Sequence, residues 1–258
     1  MPQSFRRRHT MKIGLLGLGN IGSTLARRLP TAGHLVRAAN SRGPETIDED
    51  ILSTGTRAVT AEEAVRDVDV IILSIPLSTL PKIAELLASV PSETVLIDTS
   101  NYYPSRDGRI EAIENGQPES EWVIEQLRRP VIKAWNAVGA ATLENRNLPA
   151  GHPDRIGLPI SGDDPEAKRV AATLMDDSGF DAVDAGWITD SWRQQPGSPV
   201  YCTELSAAQI PAALETAQKE RLPKLREFAA AILLERWGNP NVTTDPGYAV
   251  KLSRMIYM

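Results

Sequence analysis

Short apolar runs alternate with helical stretches over the first two thirds of the chain. Residues 12–18 (KIGLLGL) form a continuous apolar run that closes in glycines, the pattern of a strand buried on both faces. Residues 21–29 read as a helix, closed by residues 30–33. Further β-type runs occupy 35–39, 58–59, 68–75, 94–98, 131–135, 158–161 and 180–184, and VDVIILSI at 68–75 is the strongest of them. Helices are expected at 61–65, at 79–88 with Pro81 tolerated in the first turn, and at 165–177. Asp164 and Pro165 give the last of these an acidic cap and a preset first turn. Helical pieces at 109–113 and 121–127 flank a loop at 115–118. Repeated β-α-β units predict an α/β protein with a mainly parallel sheet and helices on both faces.

The pattern changes near Gly186. Residues 192–199 (WRQQPGSP) read as loop, and 205–237 as largely helical with breaks at Pro211 and Pro223. Residues 239–246 form a turn cluster, and the last dozen residues read as a short helix or docked tail. The expected organisation is a flexible basic tail at 1–10, an α/β domain at 11–186 and a small, mainly helical region at 187–258.

Composition narrows the function. The chain has 258 residues, 41% hydrophobic and 24% charged. A chain of this length buries roughly 70–75% of its unfolded surface, so it needs no disulfide or metal staple. Cys202 is the single cysteine, and with three histidines it cannot build a closed zinc site. The net charge of −5 argues against a nucleic-acid partner. No apolar run approaches the ~20 residues that cross a bilayer. Arg6, Arg7 and Arg8 precede the apolar residues 13–18, which superficially resembles an export signal. That run is short and contains Gly14 and Gly17, so residues 1–10 read as a frayed tail, with Met11 an alternative start. With the lone cysteine, this gives a cytoplasmic expectation.

Gly17-Leu18-Gly19-Asn20-Ile21-Gly22 is a G-x-G-x-x-G pattern between a strand and a helix, the context the motif requires. Gly17 permits the tight turn, and Gly19 leaves no Cβ where a pyrophosphate approaches. Gly22 lets helix and strand pack closely. Amides at the helix N-terminus then favour the phosphate. The end of the second strand, Asn40-Ser41-Arg42-Gly43, holds no carboxylate for a ribose 2′-hydroxyl. It offers an amide, a hydroxyl and a guanidinium, which suit a 2′-phosphate and favour NADP over NAD. Ligands in such sheets sit beyond the carboxyl ends of the strands. Ser74, Ile75 and Pro76 should therefore wall the cofactor cleft. Asn101, Tyr102 and Asn136 become nicotinamide- or substrate-side groups, and strand and turn caps are the alternative.

Other residues carry less. No lysine sits in a helix with a glycine-rich lead-in, as a hydroxyacid dehydrogenase would need. His34 and His152 read as structural, and Cys202 as inert. Trp135, Trp187 and Trp192 read as core or interface anchors.

The opening MKIGLLGLGNIG, the loop at 40–45 (NSRGPE) and the stretch 160–186 (ISGDDPEAKRVAATLMDDSGFDAVDAG) resemble the NADP oxidoreductase, coenzyme F420-dependent family. The similarity spans about residues 11–195. It implies a Rossmann-type, doubly wound domain binding NADP(H), with a small C-terminal helical region that completes the cleft and often a dimer. It places Gly17, Gly19, Asn20, Ile21 and Gly22 at the pyrophosphate. Ser41 and Arg42 fall at the 2′-phosphate, and Ile75 and Pro76 beside the nicotinamide. It also implies positional catalysis by stacked rings, with no catalytic side chain required. The part after Gly186 departs from the family pattern, and it is the part that would shape the acceptor site.

The reading is an NADP(H)-dependent oxidoreductase moving hydride between NADPH and coenzyme F420, a flavin, or a small carbonyl or imine substrate. A pyrroline-5-carboxylate or imine reductase type, and an NADP-binding sensor without turnover, are the alternatives. The partners expected are small molecules, with no nucleic acid and no membrane. Apolar helical faces near 210–234 admit a homodimer.

Overall fold

The computed structural model describes residues 10–238, 245 and 247–258. Residues 1–9 of the expected tail, and all but Asp245 of the turn cluster at 239–246, lie outside them. Six parallel strands form the main sheet: β1 (Lys12–Leu16), β2 (Leu35–Ala39), β3 (Arg57–Ala58), β4 (Val70–Leu73), β5 (Val95–Asp98) and β6 (Ile132–Lys133). Their spatial order is β3-β2-β1-β4-β5-β6. The order turns back at β1, so the crevice beyond the carboxyl ends of β1 and β4 is the expected ligand position for this topology.

Strand alternation divides the core between the two faces. Ile13, Leu15, Val70 and Ile72 join one apolar cluster; Leu16, Ile71 and Leu73 join the other. Helices α1 (Asn20–Thr31) and α9 (Pro165–Asp177) bring Leu25, Leu29, Leu174 and Met175 to the first cluster. Helices α4 (Ala84–Ala88) and α7 (Glu119–Leu127) bring Leu87, Val123 and Leu127 to the second. Burying a Leu or Ile side chain contributes about 1.5–3 kcal/mol, so both layers hold the sheet. Short helices α2 (Glu49–Leu52), α3 (Ala61–Ala64), α5 (Pro104–Asp107), α6 (Glu111–Glu114) and α8 (Ala140–Asn145) punctuate the connections. Of these, α2, α5 and α8 are single or near-single turns without enough apolar periodicity to be read from sequence.

A second parallel pair, β7 (Gly157–Ile160) and β8 (Asp181–Asp184), joins the main sheet through an antiparallel bridge from Ser161 to Lys133. The block at 162–168 (GDDPEAK) is the lock on this unit. Asp164 caps α9 by accepting from the Glu166 and Ala167 amides, and Asp163 accepts from the Ile188 amide at 2.9 Å. Lys168 pairs with Asp184 at 2.8 Å, and Asp184 also accepts from the Gly186 amide.

Several boundaries move. Helix α1 continues through Pro30 instead of closing there, and the Ala26 carbonyl that the proline leaves without an amide donor accepts from Thr56 Oγ1 at 2.6 Å. Residues 77–83 form a 3₁₀ helix before α4. Pro211 and Pro223 begin helices where breaks were expected. They occupy the first turns of α10 (Ile210–Thr216) and α11 (Leu222–Trp237), where a missing amide hydrogen costs nothing. Helix α12 (Tyr248–Tyr257) packs on α11 and sets Tyr257 against Tyr201, with ring centroids 6.4 Å apart. Together these make the helical C-terminal region. Trp135 is buried as expected, whereas Trp187 is 60% exposed under Lys168 and anchors no core. No helix among the described residues is long and apolar enough to cross a membrane.

Candidate functional site

Three strand ends are tied together at the glycine loop. The Gly17 amide donates to the Ala39 carbonyl at 2.9 Å, and the Ser74 amide donates to the Leu16 carbonyl at 2.8 Å. Gly17 has φ +98°, and a Cβ there would collide with the Ser74 carbonyl and Ile75. Gly22 lies against the Gly17 carbonyl, again with no room for a Cβ. Gly19 differs: its Cβ would meet nothing within 4 Å. The loop is therefore glycine-bound by the protein itself at 17 and 22, and open at 19, where a ligand can approach. Asn20 is the exposed first residue of α1, and Ile21 packs on the core.

Beyond β2, Asn40 builds its own turn. Its Oδ1 accepts from the Arg42 amide at 2.9 Å, and its Nδ2 donates to Thr46 Oγ1 at 3.0 Å. Ser41 and Arg42 are exposed on that turn, and no hydrogen bond or ion pair among the described residues uses the Arg42 guanidinium. Asn40 thus orders the loop, while Ser41 and Arg42 remain free for a ligand. On the other side of β1, Ser74 and Ile75 are half-buried and Pro76 is exposed. A recess of about 380 Å³, lined in part by Lys12, Leu35, Arg57 and Arg66, lies at the opposite end of the strands, remote from this cleft.

The ends of β5 and β6 carry a polar network. Asn101 Nδ2 donates to the Asn136 carbonyl at 2.9 Å and to Tyr201 Oη at 3.3 Å. Asn136 Nδ2 donates to Asn101 Oδ1 at 3.1 Å and to the Gln194 carbonyl at 2.8 Å. Gln194 Nε2 donates to Asn136 Oδ1 at 2.7 Å. Asn136 is 1% exposed and its amide is fully engaged, so it sits behind Asn101 with nothing left to offer a ligand. Tyr102 does not line the cleft either. It is fully buried, its hydroxyl accepts from the Ile110 amide, and Arg226 covers its ring at 5.0 Å. The next residue, Tyr103, reaches the network, with its Oη 2.9 Å from Tyr201 Oη. Burial pushes both phenols well above their ordinary range.

Below the network, Lys133 Nζ pairs with Asp98 Oδ2 at 2.7 Å and donates to the Ser100 carbonyl at 2.5 Å. Burial pushes Glu119 up to about 7, against a smaller opposing pull from Lys133. Its Oε2 has no partner among the described residues, nor has Gln195 Nε2, and both residues line a cavity of about 50 Å³. No sequence motif singles out Tyr103, Tyr201, Gln194, Lys133 or Glu119. The strand-end residues Asn101 and Asn136 point to this network from the sequence, whereas Tyr102 lies beside it and Tyr103 within it.

His34 and His152 are structural. His34 Nδ1 accepts from the Met11 amide and Nε2 meets Asp177 Oδ2 at 3.0 Å, which fixes the tautomer. His152 Nδ1 accepts from the Asp154 amide. Burial pushes the Cys202 thiol up to about 12, which keeps it protonated and unreactive.

The geometry can be set beside known proteins. Residues 12–102 match the family described as NADP oxidoreductase coenzyme F420-dependent. The protein YjhV of Escherichia coli (strain K12) is 39% identical over 102 residues, which are 38% of this chain and 67% of that protein. The crystal structure of a hypothetical protein, SMa0349, from Sinorhizobium meliloti is similar with a TM-score of 0.66 and 29% identity, over 78% of this chain and 98% of that one. That of a candidate F420-dependent NADP-reductase from Arthrobacter sp. FB24 shares the fold, with a TM-score of 0.56 and 20% identity. It covers 91% of this chain and 98% of that one. With its glycine loop and first five strands inside the matched stretch, the chain belongs to the NADP oxidoreductase, coenzyme F420-dependent family, and so to the NAD(P)-dependent oxidoreductases.

Proposed function

We propose that this protein binds NADP(H) across the ends of β1, β2 and β4 and moves hydride between it and a second redox partner. The observation that carries the NADP preference is the turn after β2. It holds no carboxylate, and Asn40 shapes it so that Ser41 and the unpaired Arg42 guanidinium face solvent. A dianionic 2′-phosphate gains charge-assisted hydrogen bonds there, and a bare 2′-hydroxyl gains little. Gly17, Gly19, Asn20, Ile21 and Gly22 hold the pyrophosphate at the N-terminus of α1. Ser74, Ile75 and Pro76 wall the nicotinamide side, and Asn101, oriented by Asn136, faces it from β5. The bound nucleotide supplies the hydride, while the protein fixes its position and orientation, which can account for much of the barrier reduction.

The second partner is coenzyme F420, a flavin, or a small carbonyl or imine compound. Residues 11–186 form the nucleotide-binding part in this reading, and 187–258 close the acceptor side through Gln194, Tyr201 and Tyr257. The test is NADPH oxidation by the purified protein against coenzyme F420, FMN, FAD and simple carbonyls and imines, with NADH in parallel. Turnover of one acceptor with a preference for NADPH is expected. Tight NADPH binding with no turnover of any acceptor would favour a sensor instead.

A further inference from the structure

The network at the ends of β5 and β6 can be counted hydrogen by hydrogen. Both amide hydrogens of Asn101 are spent, one on the Asn136 carbonyl and one on Tyr201 Oη. Both hydrogens of the Asn136 amide are spent too. Tyr201 Oη therefore already receives a hydrogen, and its own proton has Tyr103 Oη as an acceptor 2.9 Å away. The reverse orientation would leave the Tyr201 proton only the Cys202 sulfur, a much weaker acceptor. In the favoured arrangement Tyr103 accepts from Tyr201, and its own hydrogen has no protein acceptor among the described residues. It is the one unspent hydrogen of the tyrosine pair.

Its place is fixed by the cleft wall. The Tyr103 amide donates to Asp107 Oδ2 at 3.0 Å, and Asp107 Oδ1 accepts from the amide and hydroxyl of Ser78. Ser78 lies two residues after Pro76, so the proposed nicotinamide wall and Tyr103 are tied through one carboxylate. Arg106 donates to the Asn101 carbonyl and stands 5.6 Å from the centre of the Tyr103 ring. Burial raises the Tyr103 phenol, and the hydrogen bond received from Tyr201 and the Arg106 cation oppose that rise by favouring the phenolate that remains when a proton is given away.

We propose that Tyr103 is a catalytic proton donor, with Tyr201 as its positioning residue, and that the acceptor is a small compound with a polarised C=O or C=N bond. This deepens the functional reading above and rests on it. The acceptor carbon receives the hydride, the two π electrons move to its oxygen or nitrogen, and that atom takes the proton of Tyr103 Oη. The Tyr201 proton crosses to Tyr103, and solvent restores the pair. The products are the alcohol or amine and oxidised nucleotide.

The test uses the full chain and the Tyr103→Phe and Tyr201→Phe variants. NADPH titration comes first, and loss of binding by the parent protein would sink the functional reading itself. With NADP⁺ bound, 4-methoxybenzaldehyde serves as a probe whose carbonyl stretch is read by infrared difference. A downshift on the parent and on Tyr201→Phe, absent from Tyr103→Phe, is expected. With NADPH, reduction of aldehyde and cyclic imine probes should fall about 100-fold or more in Tyr103→Phe, at unchanged NADPH affinity. Tyr201→Phe should lose less. An unshifted carbonyl on the parent, equal shifts on parent and Tyr103→Phe, or NADPH-binding protein that reduces no carbonyl or imine probe would overturn the proposal. So would equal rates for parent and Tyr103→Phe.

Discussion

Lys133 Nζ and Asp98 Oδ2 lie 2.7 Å apart, both side chains with no solvent exposure, where the neighbouring strands β5 and β6 end. The ammonium also donates to the Ser100 carbonyl, and Asp98 Oδ1 accepts from the Ser100 amide. The pair thus pins the backbone that leads directly to Asn101 and Tyr103. A buried pair of this kind adds little net stability against an apolar replacement, but losing one partner leaves a charge stranded.

Lys133→Met should therefore destabilise the protein by about 3–5 kcal/mol. The double variant Lys133→Met with Asp98→Leu should lose clearly less than the sum of the single changes. Urea unfolding of the three variants measures both. Additive losses would show that the pair is not coupled.

Glu119 gives stability a pH dependence. Its folded pKa, about 7, lies above the 4.5 of an exposed glutamate, so the folded state binds the proton more tightly. Its contribution is fully present below pH 4.5 and is lost as pH rises through 7, by about 3 kcal/mol in order of magnitude. Glu119→Gln should be more stable than the parent at pH 8, with the difference closing near pH 4.5. Thermal or urea unfolding across that window checks it, and a parallel pair of curves would refute it.

The glycine loop separates folding from binding. Gly17→Ala forces a Cβ into the Ser74 carbonyl at positive φ, and should lower both stability and nucleotide affinity. Gly19→Ala meets open space at φ −73°, so it should fold normally and lose NADPH affinity at least tenfold. Melting curves beside nucleotide titrations distinguish the two. Normal affinity in Gly19→Ala would place the pyrophosphate elsewhere.

Much of the architecture was legible because it rests on local signals. Leu35–Ala39 and Pro165–Asp177 begin and end where the apolar pattern and the Asp164 cap put them. Elsewhere β3 and β7 each begin one residue earlier than expected, and the other strands shorten by one to several residues, as β4 does before Ser74 and Ile75. Long-range pairings were not legible. Nothing in the run at 131–135 announces that Lys133 meets Asp98, and nothing near Tyr201 announces Asn101, because both contacts are made only when distant segments pack. Tyr102 and Tyr103 show the limit most sharply. Adjacent residues leaving a strand point to opposite sides, and a displacement of one residue exchanges the buried ring for the one in the network.

The central claim is that the turn after β2 reads a 2′-phosphate, and Arg42→Ala tests it most directly. Affinities for NADPH and NADH are measured by fluorescence titration on the parent and the variant. The account predicts that the parent prefers NADPH, and that the variant loses about tenfold or more in NADPH affinity while NADH binding barely changes. Equal losses for both nucleotides, or a parent that prefers NADH, would contradict it.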